Sequence, residues 1–241
     1  MSISDPQPIS PKSAEQSLQE LVYAVSHDLG ASARTIKGFA DLLLRRNSES
    51  LDSDSQNFLR LMSQGARGLQ AQLDGLLAYS RVESRGQAFS LTDIAEVWRS
   101  VTSAAAARIR DTAASVDQDQ LPVVLADARQ LAILLSELLE NSLKFRGNEP
   151  LRVHLAAELT ESEHSNSKTQ WRFRLTDNGR GIAAQHLFRM FQMFQRCCPD
   201  VPGVGVGLAV AQRIVQRHGG TIWAESALGA GTSICFTLPN S

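Results

Sequence analysis

From Leu18 onward the apolar residues fall at Leu18, Val22, Val25, Leu29, Ile36, Phe39 and Leu43. The steps alternate between three and four, with small Ser32 in the place that would complete the series. A second stripe runs through Leu59, Met62, Ala66, Leu69, Leu73 and Leu76, and the polar stretch NSESLDSDS between the two suits a turn followed by a helix N-cap. The spacing predicts a helical hairpin. Two helices with one apolar stripe each cannot enclose a core, so the hairpin needs a partner, and the simplest arrangement is a homodimer whose two hairpins form a four-helix bundle.

The rest of the 241-residue chain is long enough to build a core of its own. A hydrophobic fraction of 43% is too high for a disordered chain, and a net charge of -1 gives no basis for a nucleic-acid partner. No apolar run approaches the roughly 20 residues that a membrane helix needs. The start, MSISDPQPISPKS, lacks the basic and apolar segments of a signal peptide. The expectation is a cytoplasmic chain without membrane insertion. Three cysteines without metal-ligand spacing agree with that; Cys197 and Cys198 read as incidental loop thiols, with a redox switch as the alternative. Residues 1–15, with Pro6, Pro8 and Pro11 among Ser and Asp, read as a flexible tail, 16–85 as the hairpin and 86–241 as a second domain.

In that second domain the pattern predicts a helix from Thr92 to Arg110, a strand from Leu121 to Leu125, and a helix from Ala128 to Phe145 behind an N-cap at Asp127. Strands follow at Leu151–Leu159 and Gln170–Thr176 around an exposed loop TESEHSNSKT, then a helix Val206–His218 and strands Thr221–Glu225 and Ser233–Leu238. The order indicates an α+β fold, an α/β sandwich with one sheet under a helical layer.

Four groups of residues can carry chemistry. His27 points away from the apolar stripe, and its neighbour Asp28 can orient the imidazole and keep one nitrogen nucleophilic. Asp177-Asn178-Gly179-Arg180-Gly181-Ile182 ends a strand, where glycines let backbone approach a flat ligand and a carboxylate can accept from an exocyclic amine such as adenine's. Gly203, Gly205, Gly207 and Leu208 open the last long helix, whose free amides suit phosphate; no strand precedes them, so this is not the dinucleotide fingerprint. Glu137, Asn141 and Lys144 share one face of their helix, an arrangement that is either a solvated stripe or a place for a metal-bound triphosphate.

In this order the motifs SHDL, ELLENSLKFR, DNGRGI, LFRMFQMFQR and GVGVGLAV resemble the phosphoacceptor, Asn, first glycine, Phe and second glycine boxes of the sensor histidine kinases of two-component systems. KFRGNEPLRV, FQRCC and VQRHGGTIWAES are similar to the kinase modules behind phytochrome-type light sensors. The resemblance implies a dimerisation and phosphoacceptor hairpin followed by an ATP-binding domain of the Bergerat type. It implies transfer of a phosphoryl group from ATP with Mg2+ to His27, then to an aspartate of a response regulator receiver domain docked on the lower half of the hairpin. By the same resemblance Asp28 orients and deprotonates the imidazole, Asn141 ligates magnesium, Glu137 acts near the metal, Lys144 touches phosphates and Asp177 takes the adenine amine. Gly179 and Gly181 shape the base pocket, and Gly203, Gly205 and Gly207 form the lid, which is short and holds Pro199 and Pro202.

Two departures carry expectations. Ser32 stands where the family has proline, which implies a straighter helix, and Ala31 replaces the polar residue that positions water for regulator dephosphorylation, which implies weak phosphatase activity. The absence of a sensor segment before the hairpin implies a truncated chain or a separate sensor protein. The alternative function is a histidine phosphotransferase or degenerate scaffold with little ATP-dependent activity, which nucleotide binding would separate from a kinase.

Overall fold

The computed structural model describes residues 11–47, 49–161, 169–198 and 200–240, with side chains from Val22 onward. Residues 1–10, the Leu18 side chain, most of the TESEHSNSKT loop and Pro199 lie outside the described residues. The chain divides into two compact units, 1–80 and 81–241.

The first unit is a helical hairpin of α1 (Pro11–Asn47) and α2 (Ser53–Ser84). Because α1 is already helical at Pro11, the expected tail is helical over its last residues, with proline in the first turn where its missing N–H is not needed. Asp52 accepts from the Ser55 amide (2.6 Å) and starts α2, and this bond holds its carboxyl below the usual range. The helix α1 runs unbroken past Ser32, whose hydroxyl donates to the Asp28 carbonyl at 3.1 Å.

The expected stripe of α1 is not the seam of this hairpin, and of the expected α2 stripe only Ala66 and Leu73 are buried. The buried side chains are small ones, Ser26, Ala33 and Ala40 on α1 and Ser63 and Ala66 on α2, joined by Leu73. Small residues let the two backbones approach closely. Val25, Leu29, Ile36, Phe39 (63% exposed) and Leu43 face outward together with Phe58, Leu61, Met62 and Leu69. One polar cluster pins the register. Ser63 donates to Asp41 at 2.6 Å, Arg67 to Ser63 at 2.8 Å and Lys37 to Asp41 at 2.9 Å, and the Ser63 bond leads in lowering the Asp41 pKa.

The second unit begins in the last turn of α2 and contains β1 (Ser90–Asp93), α3 (Ile94–Ala104), α4 (Ala106–Asp111), β2 (Ser115–Gln118), β3 (Val123–Ala126) and α5 (Ala128–Lys144). It continues with β4 (Arg152–Glu161), β5 (Thr169–Asp177), α6 (Ala184–Leu187), α7 (Gly207–Arg217), β6 (Ile222–Ser226) and β7 (Thr232–Pro239). The sheet order is β2-β4-β5-β7-β6, with β2 parallel to β4 and the other pairs antiparallel; β1 and β3 form a separate antiparallel ribbon. The alternation of the strands puts Leu155, Phe173, Leu175 and Phe236 on the inner face, where they meet Trp98 of α3, Leu131, Leu134, Leu138 and Leu139 of α5 and Ile214 of α7 in a helix-on-sheet core. Phe173 and Phe236 are register partners, and their rings stack at 4.8 Å.

The expected helix over Thr92–Arg110 is instead a strand end and two helices. Thr92 pairs with Val124, Asp93 caps α3 by accepting from Ala95 (2.8 Å), and the chain breaks at Ala105.

A strap of chain after α2 is tied to the start of α5 and the end of α7. Gln130 donates to the Val82 carbonyl (2.6 Å), the Gln87 amide donates to Asp127 (2.6 Å), and Arg217 donates to the Gln87 carbonyl (2.8 Å) and to Gln130 (2.9 Å). Gly86 packs flat on the Arg217 guanidinium, where a Cβ would lie 2.2 Å from its central carbon. His218 completes the node: its Nδ1 donates to the Ile214 carbonyl (2.8 Å), its Nε2 accepts from the Asp127 amide (3.1 Å), and Phe89 stacks on it at 4.5 Å.

Burial pushes the His218 imidazole below its ordinary value, and nearby Arg217 adds to this against the Ile214 bond and Asp127. The unfolded chain takes up this proton near pH 6.5, whereas the folded unit resists it until lower pH. The stability that His218 contributes is therefore complete above that value and falls as pH drops toward the folded pKa. Urea midpoints of the second unit should decline between pH 7.5 and 5.5, and His218→Gln should flatten that decline; an equal slope in the variant would refute the assignment.

Candidate functional site

The helix α5 starts at the N-cap Asp127, whose side chain accepts from Gln130, and its register aims Glu137, Asn141 and Lys144 off the core face defined by Leu131, Leu134, Leu135 and Leu138. The lid glycines come directly onto this stripe. A Cβ on Gly207 would lie 2.0 Å from Glu137 Oε2, and one on Gly203 would lie 2.1 Å from Lys144 Nζ. Both are the ends of flexible side chains, so the glycines let the lid lie close to the stripe without displacing Glu137 or Lys144. Gly205 sits between them with its carbonyl accepting from the Phe194 amide (2.7 Å), and half-buried Leu208 lies in the first turn of α7. The N-cap of α7, Val206, offers no side-chain bond, so it leaves the first-turn amides for an anion.

Electrostatics agree with a site built for charge. Burial pushes the Glu137 carboxyl up, and Glu140 adds to this. Burial pushes the Lys144 ammonium down, and Arg196 adds to this. Arg108 of α4 pairs with Glu140 beside the stripe. Asn141 Nδ2 is buried without a hydrogen-bond partner among the described residues. A buried amide with an open position is costly unless a ligand completes it, and a half-turn of the group offers either its donor or its oxygen. Asn141 and Glu137 supply oxygens one helical turn apart, and no group of three or more His, Cys, Asp or Glu is gathered among the described residues. This donor set fits a magnesium ion that draws its other ligands from water and substrate phosphates.

The second part of the site forms around Asp177 at the end of β5. Its Oδ1 accepts from the amides of Gly179 (2.8 Å) and Thr232 (3.2 Å), and its Oδ2 from the Ser142 hydroxyl (2.9 Å). Gly179 passes close to the Phe145 carbonyl, and Gly181, with φ +68, leaves no room for a Cβ against the Ala227 carbonyl. Asn178 is taken up by structure, accepting from the Arg152 amide (2.7 Å) and donating to the Pro150 carbonyl (3.0 Å). Sequence reasoning missed Ser142, Gly231 and Thr232; a signal was present only for Gly231, in the glycine-rich turn SALGAGT, where Ser226 donates to the Gly231 carbonyl (2.7 Å).

In the lid Cys197 and Cys198 are both half-buried, and burial, with Cys198 adding, pushes the Cys197 thiol up, which disfavours the reactive thiolate. In the first unit His27 has a side chain 64% exposed, with Asp28 Oδ1 3.1 Å from its Nδ1. No helix among the described residues is long and apolar enough to cross a membrane.

An α/β sandwich with an acidic-amide-lysine stripe under a glycine lid and a carboxylate-glycine pocket beside it defines a nucleotide-binding module. Comparison with known proteins agrees: residues 126–241 match the family described as histidine kinase-, DNA gyrase B- and HSP90-like ATPase. The chain is 35% identical over 92% of its length to cyanobacterial phytochrome A of Nostoc sp. and 31% identical over 96% to the methanogenesis regulatory histidine kinase FilI of Methanothrix harundinacea. It spans only 28% and 25% of those two proteins. Its fold superposes on full-length ShkA, solved in complex with AMPPNP, with a TM-score of 0.64 and 23% identity over 92% of this chain and 46% of that one. Residues 126–241 therefore form an ATP-binding module of the histidine kinase-, DNA gyrase B- and HSP90-like ATPase family, and the chain is similar to histidine kinases over most of its length.

Proposed function

We propose that the chain is the kinase core of a two-component system: His27 takes the γ-phosphoryl group of ATP and passes it to an aspartate of a response regulator receiver domain. The observation that carries this reading is the convergence of Gly203 and Gly207 on Lys144 and Glu137 around the open Asn141 amide, in a chain that also presents exposed His27 beside Asp28. Asp177 accepts the adenine amine, between Gly179 and Gly181. Lys144 and the amides at the start of α7, with Gly205 and Leu208 in the lid, neutralise and position the phosphates. Asn141 would hold magnesium with Glu137 close by, and a bound magnesium supplies charge neutralisation of the phosphates. Asp28 accepts the Nδ1 proton of His27 and so keeps Nε2 as the nucleophile.

The receiver domain binds the hairpin, a separate sensor or a preceding segment supplies the signal, and the location is the cytoplasm. A pulse of γ-labelled ATP followed by a receiver domain tests the reading. Label should appear on the chain and leave when the receiver is added; a chain that binds nucleotide yet never accepts label would support the phosphotransferase or scaffold alternative instead. Ala31 presents no polar side chain, and the Thr35 hydroxyl one turn on donates to the Ala31 carbonyl (3.0 Å). Dephosphorylation of a receiver by this chain should therefore be slow, and a robust rate would refute the role given to Ala31.

The outward apolar stripe of Val25, Leu29, Ile36, Phe39 and Leu43 calls for a homodimer through a four-helix bundle. Sedimentation at micromolar concentration should give a dimer, and Ile36→Arg with Phe39→Arg should weaken it about 100-fold or more by burying unpaired charge in the seam. A monomeric wild-type chain with full helicity would contradict this.

A further inference from the structure

Tyr23 lies one helical turn before His27, half exposed, with its ring stacked on the imidazole at 6.5 Å and 23°. The helical spacing puts both rings away from the Val25, Leu29 and Phe39 stripe, so a bundle formed through that stripe leaves them open. Three positions around the imidazole are thereby defined. Nδ1 faces Asp28 Oδ1 at 3.1 Å and, since a carboxylate only accepts, carries the proton; the Tyr23 ring lies near-parallel to the imidazole with centroids 6.5 Å apart; and Nε2 has no hydrogen bond among the described residues.

We propose that Tyr23 is a positioning residue for phosphoryl transfer: its ring holds the imidazole with Nε2 outward and its π face stabilises the positive charge that the imidazole acquires during the reaction. This rests on His27 being the phosphoacceptor. In the forward step the Nε2 lone pair forms the N–P bond while the bond from the γ-phosphorus to the bridging oxygen breaks, and ADP leaves with that electron pair. The ring, still carrying its Nδ1 proton, is cationic until Asp28 accepts the proton and neutral phosphohistidine remains. An aromatic face attracts a cation in a way that an aliphatic side chain of similar bulk does not. The interaction is strengthened as charge develops, so it lowers the barrier without tightening ATP binding.

The test is autophosphorylation kinetics of the full chain with Tyr23 replaced by Phe, by Leu and by pentafluorophenylalanine, whose ring has the shape of Phe with the face charge reversed. Tyr23→Phe should keep the rate within about two-fold. Tyr23→Leu and the fluorinated ring should lower kcat about two- to five-fold with KM for ATP unchanged. Far-UV circular dichroism confirms that the hairpin remains helical, and the fluorinated variant preserves packing where Leu does not. A fluorinated variant as fast as Phe, or a loss confined to KM, overturns the role of Tyr23. A wild-type chain that accepts no label overturns the phosphoacceptor reading on which it rests.

Discussion

Replacing Gly231 by alanine should destabilise the second unit by about 3 kcal/mol or more and abolish nucleotide binding. The residue has φ +85, a conformation that costs a side-chain-bearing residue about 1–2 kcal/mol. Its added Cβ would also lie 2.0 Å from the Asp177 carbonyl oxygen and 2.9 Å from the Asn178 Cα, backbone atoms that cannot swing aside. Relief therefore requires moving the end of β5, which carries the pocket carboxylate, away from the Thr232 amide that donates to it. Gly229 supplies the control. It has φ +79 with nothing within 4 Å of the position an added methyl would take, so Gly229→Ala should show only the backbone cost. Denaturant midpoints and nucleotide titrations of the two variants check this; equal losses at both positions would show that contact with Asp177 is not the cause.

Asp177→Asn should weaken adenine nucleotide binding about 10- to 100-fold while leaving the unit folded. The carboxylate already accepts from two amides and the Ser142 hydroxyl, so it is fixed in place and acts on a ligand only as an acceptor. An amide has one acceptor and one donor end. Whichever way it turns, either the protein donors or the adenine amine faces an N–H. The donor end would suit the carbonyl oxygen of guanine, so the preference for ATP over GTP should shrink as affinity falls. Titration of both nucleotides against wild type and variant measures it, and unchanged affinity for ATP would remove Asp177 from the base pocket.

The hairpin was legible because a three-four spacing can be satisfied in only one way, and the breaks at Asn47 and Ser53 follow from polar residues and the Asp52 cap. Periodicity identifies a stripe but not what covers it. The larger apolar residues of the α1 stripe proved to face out and only Leu73 of the α2 stripe is buried among them, because Ser26, Ala33, Ala40, Ser63 and Ala66 allow the two helices a closer contact that carries almost no hydrophobic signal. In the second unit the helices α5 and α7 and the long strands were legible from their pattern. The strand β2 was not, since SVDQ at a sheet edge is polar and its pairing with β4 is set by tertiary contacts. The break at Ala105 was hidden in a run of alanines, which all favour helix. Glycines could be recognised as chemistry-bearing, but that Gly203 meets Lys144 and Gly207 meets Glu137 depends on the fold. Ser142 and Thr232 are small polar residues with no pattern of their own, and only the position of Asp177 reveals what they do.

The most direct test of the central claim is incubation of the purified chain with γ-labelled ATP and magnesium beside His27→Gln, followed by acid and alkali treatment of the labelled protein. Phosphohistidine on the wild type alone, lost in acid and retained in alkali, is the predicted result. Label that persists in His27→Gln, or that survives acid as a phosphoester would, contradicts the account.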